Sequence, residues 1–162
     1  MRRIILLVFI CFSNILFGQK NIPNISITNF QNKSVKIQEE LKTDNITILS
    51  FWATWCVPCI NELDAISEVY EEWQEDLNVE LIAISTDDSR TQKRIKPMVN
   101  GKGWEYKILL DKNQELKRAL NISGIPHTLV LKGNKIIFRR PGYSAGAEDE
   151  LYEFIKEFKN SK

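Results

Sequence analysis

Two short apolar segments in the first half of the chain have the character of buried strands. Ile46–Trp52 is rich in β-branched and aromatic residues and is too short for a typical helix. Val79–Ser85 predicts a second strand. Strands that are apolar on both faces are typical of a sheet covered by helices on both sides. We therefore expect Ile46–Trp52 to be a central strand of such a sheet.

Between these two strands, apolar residues recur at spacings of three and four, which is typical of one face of an amphipathic helix. They are Ile60, Leu63, Ile66, Val69, Tyr70, Trp73 and Leu77. The opposite face carries four acidic residues, Glu62, Glu68, Glu71 and Glu75. Because nothing in their spacing joins them to histidine or cysteine ligands, we interpret this charge as a solvated surface and not as a metal site.

The rest of the chain alternates between short strands and helices. The predicted order is an N-terminal hairpin, a polar helix, a strand, a helix, a strand pair and a closing amphipathic helix. These elements are expected at Ser26–Phe30 with Val35–Ile37, 89–100, Tyr106–Leu110, Gln114–Leu120, Thr128–Leu131 with Lys135–Arg139, and Asp149–Lys159. The alternation predicts an α/β domain over residues 25–160, with a mixed sheet flanked by helices on both faces.

Composition narrows the class of protein without identifying it. A chain of 162 residues corresponds to about one domain. With 43% hydrophobic residues it has enough apolar mass for a packed core, which excludes disorder as the main state. The net charge of +1 provides no electrostatic basis for binding nucleic acid or an anionic membrane surface. Specificity must therefore come from a localised site.

The N-terminus has the pattern of an export signal. Met1-Arg2-Arg3 is followed by Ile4–Gln19, in which no residue is charged. We predict a signal peptide over residues 1–18, cleaved after Gly18 or retained as an uncleaved membrane anchor. An exported protein, periplasmic or otherwise extracytoplasmic, is expected.

Removal of residues 1–18 leaves two cysteines, Cys56 and Cys59. A disulfide across two intervening residues closes almost no loop and would stabilise the fold little, so the pair is expected to open and close. Cys56 lies where a buried strand ends and a helix begins, and a helix N-terminus favours its thiolate. We predict that Cys56 is the attacking thiol and that Cys59 resolves the mixed disulfide. Pro58 is tolerated in the first helical turn and stiffens the loop between the sulfurs.

The segment Phe51-Trp52-Ala53-Thr54-Trp55-Cys56-Val57-Pro58-Cys59, with Gly124-Ile125-Pro126 downstream, resembles the thioredoxin superfamily. Glu62, three residues after the second cysteine, and an extra helix and strand between Ile84 and Asp111 are similar to the TlpA/ResA group of extracytoplasmic thiol-disulfide oxidoreductases. The resemblance implies a thioredoxin-like fold with an N-terminal β-hairpin and an inserted helix-strand unit.

The resemblance also assigns residues that contact or support the substrate. It implies a cis peptide at Ile125-Pro126 beside the disulfide, with the Ile125 backbone pairing to the bound polypeptide. Trp55, next to Cys56, is expected on the exposed substrate rim. Trp52, inside the strand, is expected in the core.

This sequence departs from the family pattern at the acid that accepts the proton of Cys59. Thioredoxin has a buried aspartate where this chain has Ser50, so the acceptor must lie elsewhere or be water. Asp88 falls where ResA-like proteins place an active-site acid, and we expect its pKa to be raised if it fills that role. Glu62 and His127 are the other candidates for proton transfer. Asp64 stands where the group usually has a helix-kinking proline.

His127 follows Pro126 directly. Facing the cysteines, it could stabilise a thiolate, but strand alternation could equally turn it away. Zinc is poorly supported because two cysteines and one histidine fall short of the four ligands of a structural site. No metal or other cofactor is expected.

Two classes of function follow: a catalyst of dithiol-disulfide exchange, and a binding module that uses the fold only as a scaffold. The intact cysteine pair favours the catalyst. The group resemblance favours a monomeric reductant of protein disulfides, with cytochrome c maturation as the expected process. An upstream membrane or soluble thiol reductant would supply its electrons. A general disulfide oxidant is the alternative, because the sequence does not rank reduction potentials.

Overall fold

A computed structural model describes residues 21–43 and 45–161 of the chain. The predicted signal peptide, residues 1–18, lies outside the described residues. In chain order the strands and helices are β1 Ser26–Asn29, β2 Ser34–Lys36, β3 Ile46–Trp52, α1 Val57–Leu77, β4 Val79–Ser85, α2 Ile95–Lys102, β5 Lys107–Leu110, α3 Glu115–Ala119, β6 His127–Lys132, β7 Lys135–Pro141 and α4 Ala147–Asn160. Short 3₁₀ turns at Ile37–Glu40 and Gln92–Arg94 complete the list.

The strands form one mixed sheet in the order β2-β1-β5-β4-β3-β6-β7. β3, β4 and β5 are parallel, and the remaining pairs are antiparallel. The core on one face contains buried side chains of α1, α2 and α4, and the core on the other contains those of α3 and the segment before β3. This architecture confirms the predicted mixed sheet with helices on both faces, an N-terminal hairpin and an inserted helix-strand unit.

β3 and β4 have the predicted bounds, whereas the polar helix predicted over 89–100 is shifted. The α-helix covers only Ile95–Lys102 and is preceded by the 3₁₀ turn. The Asp88 carboxylate accepts the Arg90 backbone N–H, which holds this part of the chain in a turn. The helix ends at Gly103, whose φ of 67° lies in the left-handed region that glycine adopts without strain.

β3 runs through the middle of the sheet, and the register beside it determines which side chains can meet. Ser50 pairs with Thr128 of β6, and Thr128 pairs with Arg140 of β7. These three residues therefore form a row across three strands on one face of the sheet. Within the described residues, no helix is both long and apolar enough to cross a membrane.

Candidate active site

The two predicted redox cysteines lie at the N-terminus of α1, directly after the central strand. Cys56 is the N-cap residue, and a disulfide joins it to Cys59 in the first turn, with 5.3 Å between their Cα atoms. The Cys56 N–H donates to the carbonyl of Ala53 at 3.0 Å, which closes the turn between strand and helix. Pro58 occupies the first turn, where its missing N–H is not required. Cys56 keeps 5% of its surface accessible and Cys59 is wholly buried.

This placement gives the two sulfurs different chemistry. The unpaired N–H groups and the dipole at a helix N-terminus favour a thiolate on Cys56 when the disulfide is reduced. Only Cys56 reaches the surface, so an incoming disulfide meets Cys56 and not Cys59. Attack by Cys56 and resolution by Cys59 stay a prediction, which the difference in accessibility between the two sulfurs favours.

The surface around Cys56 is apolar. Trp55 and Val57, its two chain neighbours, are 59% and 66% exposed, and among the described residues they are the large hydrophobic side chains that are mostly exposed. Trp52, in contrast, is fully buried, as expected for a strand residue in the core. An exposed tryptophan and valine on either side of a nucleophile form a surface suited to an apolar polypeptide segment.

The Ile125-Pro126 peptide is cis, as the resemblance implied. Pro126 is followed by β6, whose first residue, His127, pairs with Phe51 near the end of β3. The loop therefore lies at the same end of the sheet as the cysteines. The Gly142 N–H donates to the Pro126 carbonyl at 2.8 Å, which ties this loop to the end of β7.

Glu62 is the acid that the structure brings behind the cysteines. It lies on α1 one turn after Cys59, on the side of the helix that packs against the sheet, and it is fully buried. Its carboxylate accepts a hydrogen bond from the Ser50 hydroxyl at 3.0 Å and from the Thr128 hydroxyl at 2.5 Å. The interpretation of Glu62 as part of a solvated face is therefore wrong, although Glu68, Glu71 and Glu75 are exposed as predicted.

The third residue of the row, Arg140, supplies a positive charge to the same carboxylate. Its guanidinium lies 3.7 Å from Glu62 and donates to the carbonyl of Ala147, at the start of α4. Burial raises the pKa of Glu62, and the hydrogen bonds from Thr128 and Ser50 and the charge of Arg140 oppose that rise. Glu62 thus has a raised pKa, and Ser50, Thr128 and Arg140 offset part of the cost of burying its charge.

Asp88 does not have the properties expected of an active-site acid. It lies at the surface and pairs with Arg90, whose guanidinium donates to its carboxylate at 2.6 and 2.9 Å. Hydrogen bonds from the Arg90 side chain and backbone lower the pKa of Asp88, which is the opposite of the expected rise. The buried acid in this loop is Asp87, whose carboxylate bonds to Thr54 two residues before Cys56. Sequence reasoning missed Asp87 because two adjacent aspartates in a loop give no sign of which one turns inward.

His127 lies near the cysteines along the sheet but on its other face. Neighbouring residues in a strand point to opposite faces, and Thr128 points to Glu62, so His127 points away from that carboxylate. Burial, and then the charge of Arg139, lowers the pKa of His127. The ring is therefore neutral at neutral pH and outside the cluster behind the disulfide. Within the described ranges, no group of three or more histidine, cysteine or acidic side chains could hold a metal ion.

Comparison with known proteins agrees with this geometry. Residues 19–140 match the AhpC/TSA family. The chain belongs to this family. It is 29% identical over 139 residues to the thiol-disulfide oxidoreductase ResA of Bacillus anthracis, covering 85% of this chain and 76% of that protein.

Solved structures show the same fold. A thioredoxin-like protein of Porphyromonas gingivalis, itself uncharacterized, superposes with a TM-score of 0.75 at 40% identity, covering 84% of this chain and 90% of that one. StoA of Bacillus subtilis superposes with a TM-score of 0.62 at 21% identity, covering 81% and 99%. With the cysteine pair at the start of α1, this AhpC/TSA family member is a thioredoxin-like thiol-disulfide oxidoreductase.

Proposed function

We propose that this oxidoreductase acts as a reductant of protein disulfides and that Glu62 accepts the proton of Cys59 during each turnover. The observation that carries the proposal is the fully buried Glu62 carboxylate, one helical turn from the buried sulfur and held by Ser50 and Thr128. Where thioredoxin has a buried aspartate in the strand, this chain has Ser50. The Ser50 hydroxyl donates to Glu62, so the buried acid at this place comes from α1 and not from the strand.

The reaction begins on the reduced protein. The Cys56 thiolate attacks one sulfur of the substrate disulfide, whose S–S bond breaks, and the other substrate sulfur leaves as a thiolate and takes a proton from water. A mixed disulfide between Cys56 and the substrate results. The exposed Trp55 and Val57 and the backbone of Ile125 form the surface against which the bound polypeptide lies.

Resolution requires Cys59 to lose its proton in a buried setting. Glu62 takes that proton, and the Cys59 thiolate then attacks Cys56 and releases the second substrate sulfur as a thiolate, which the same proton neutralises. Two electrons pass from the cysteine pair to the substrate, and the Cys56–Cys59 disulfide remains. A thiol reductant upstream, either a membrane protein or a soluble one, must restore the dithiol.

The acid near Cys59 supports one direction of electron transfer over the other. Strong oxidants of this fold owe their potential to a stabilised reduced form, in which the thiolate is favoured. An ionised acid behind Cys59 has the opposite effect, because it disfavours a second negative charge nearby. This supports a reductant over the alternative of a general oxidant.

We also propose where the protein works. The uncharged run after Met1-Arg2-Arg3 supports export to the periplasm or another extracytoplasmic compartment, with the N-terminus as a signal or as a membrane tether. The similarity to the TlpA/ResA group supports a place in cytochrome c maturation. A monomer suffices, because one chain supplies both cysteines and Glu62.

The equilibrium reduction potential tests the direction. Purified protein without residues 1–18 is equilibrated with glutathione and with dithiothreitol, and the reduced fraction is measured by thiol alkylation. A reductant should lie nearer to about −270 mV, as thioredoxin does, than to about −120 mV, as DsbA does. A value near the second figure would identify an oxidant. Cys56→Ser should abolish reduction of a model protein disulfide, since no nucleophile remains at the surface.

A further inference from the structure

Asp87 contacts the loop that leads to Cys56 and takes no part in the proton and electron transfers of the two cysteines and Glu62. It follows β4 by two residues and is 1% exposed. Its carboxylate accepts three hydrogen bonds: from the Thr54 backbone N–H at 2.9 Å, from the Thr54 hydroxyl at 2.7 Å and from the Ser85 hydroxyl at 2.9 Å. These three hydrogen bonds engage both carboxylate oxygens and hold the Asp87 side chain in one orientation inside the molecule.

The hydrogen bonds from Thr54 connect the Asp87 carboxylate to the loop that carries Cys56. Thr54 stands two residues before Cys56 in the turn between β3 and α1. Two residues before Thr54, the Trp52 carbonyl accepts hydrogen bonds from the Thr86 N–H at 2.8 Å and from the Thr86 hydroxyl at 3.0 Å. Trp52 and Thr54, which precede Cys56, are thus both attached to the segment that directly follows β4.

We propose that Asp87 is a positioning residue that fixes the conformation of the Cys56 loop and makes the cysteine pair more reducing through its buried negative charge. Removal of the charge should stabilise the thiolate, and therefore the reduced form, relative to the disulfide. The inference applies to exchange in either direction and does not depend on Glu62 or on the proposed reductant role.

Other titratable or charged groups also lie at this end of the molecule. They are Asp88 and Arg90 in the same loop, Glu62 on α1, His127 on β6, Arg140 on β7 and Glu150 on α4. A single substitution at Asp87 leaves all of them in place. The comparison with the wild-type protein therefore isolates the contribution of Asp87.

Asp87→Asn is the sharpest variant because the amide has nearly the same shape as the carboxylate. Its oxygen can accept from the Thr54 N–H and the Ser85 hydroxyl while its NH₂ donates to the Thr54 hydroxyl, so the loop keeps its bonds and only the charge is lost. We expect the equilibrium with glutathione to shift threefold or more toward the reduced protein, or about 14 mV to less negative potential. The Cys56 thiolate, followed by its absorbance against pH, should form at lower pH than in the wild type.

Asp88→Asn is the matched control. It removes the adjacent acidic charge, which lies at the surface and pairs with Arg90, and should change neither the equilibrium nor the Cys56 titration. A purely structural role for Asp87 would alter the melting temperature of Asp87→Asn and leave both redox measurements at their wild-type values. That result would overturn the proposed charge effect.

A second pair of variants tests the loop and does not need the charge to be removed. Thr54→Val deletes the hydroxyl that donates to Asp87, whereas Thr54→Ser retains it. We expect Thr54→Val to reduce a model protein disulfide several-fold more slowly, with Thr54→Ser close to the wild type. Equal rates in the two variants would show that the side-chain bond does not position the nucleophile. This pair decides the positioning role even if Asp87→Asn does not fold.

Discussion

Glu62 shows how a single buried carboxyl links the stability of the protein to pH. Burial raises its pKa above the usual 4.5, so the folded protein binds this proton more tightly than the unfolded chain does. The stabilisation is therefore complete below pH of about 4.5 and is lost as the pH rises through the raised pKa. Glutamine at this position has the same size and cannot titrate.

We expect Glu62→Gln to gain stability relative to the wild type as the pH rises from about 4.5. Urea unfolding of both oxidised proteins over a series of pH values measures the difference in unfolding free energy. Glu68→Gln, on the same helix but exposed, is the control and should show no such trend. A difference between Glu62→Gln and the wild type that stays constant with pH would contradict a raised pKa at Glu62.

The division of labour between the two cysteines can be tested at Cys59. Cys59→Ala removes a buried sulfur but leaves Cys56 at the surface, so attack still occurs and resolution does not. We expect covalent complexes between the variant and its substrate to accumulate, visible on nonreducing gels and lost on addition of dithiothreitol. The double variant Cys56→Ser, Cys59→Ala should form none. Adducts in the double variant would locate the reactive thiol elsewhere.

Some residues of the site can be predicted from the sequence, and the contacts of others cannot. Cys56, Cys59 and the cis proline could be predicted because local spacing and a known motif identify them. Helical periodicity places Glu62 on the solvated face because it treats every charged side chain as exposed, although Glu62 is also a candidate for proton transfer. Its partners Ser50, Thr128 and Arg140 come from three strands that are distant in sequence. Contacts of this kind depend on strand register, which no local pattern contains.

At the scale of elements, Asp64 connects α1 to the inserted helix-strand unit. It occupies the position of the usual kinking proline, and α1 runs uninterrupted through it. Its carboxylate accepts from the buried Trp104 indole N–H at 3.0 Å and from the Lys102 ammonium at 2.6 Å. The Lys102 pair is more than one-third exposed on both sides, so the bond to Trp104 should contribute most of the stability.

Asp64→Ala should lower the unfolding free energy by about 1 to 2 kcal/mol, because the buried indole N–H loses its acceptor. Lys102→Met removes only the surface ion pair and should cost less than about 0.5 kcal/mol. Asp64→Asn keeps an acceptor for the indole and should resemble Lys102→Met. Chemical denaturation monitored by far-UV circular dichroism compares the three variants. Equal losses in Asp64→Ala and Lys102→Met would assign the stability to the ion pair instead.

The elements themselves were predictable to different degrees. β3 and β4 have the predicted bounds because dense runs of β-branched residues end sharply at polar or turn residues. The polar helix after β4 was misplaced, since its first residues bond to the Asp88 side chain and form a turn instead. Helix propensity is a weak guide where a side chain competes for the backbone N–H groups.

The first and last described residues both lie at the end of the molecule that is away from the cysteines. Asn21 pairs with Lys135, and the Ile22 N–H donates to the Asn134 carbonyl at 2.8 Å, next to the end of β3 that begins at Ile46. At the other terminus, the Lys159 ammonium donates to the carbonyl of Leu77, the last residue of α1. Since α1 has 21 residues, the cysteines lie about 30 Å from that end of the helix.

A tether attached before Asn21 should therefore leave the active site free. We expect protein immobilised through an N-terminal tag on a bead to reduce a soluble protein disulfide within about twofold of the rate of the free protein. This attachment leaves the exposed Trp55 and Val57, and Cys56 between them, free at the far end. The control is the same domain attached through a cysteine-free linkage at Ser123, two residues before the cis peptide, where the bead should obstruct protein substrates but not a small disulfide reagent. If both immobilised forms react slowly with the protein substrate and fast with the small reagent, the bead obstructs the active site from either attachment point. That outcome would contradict the expectation that an N-terminal tether leaves the site free.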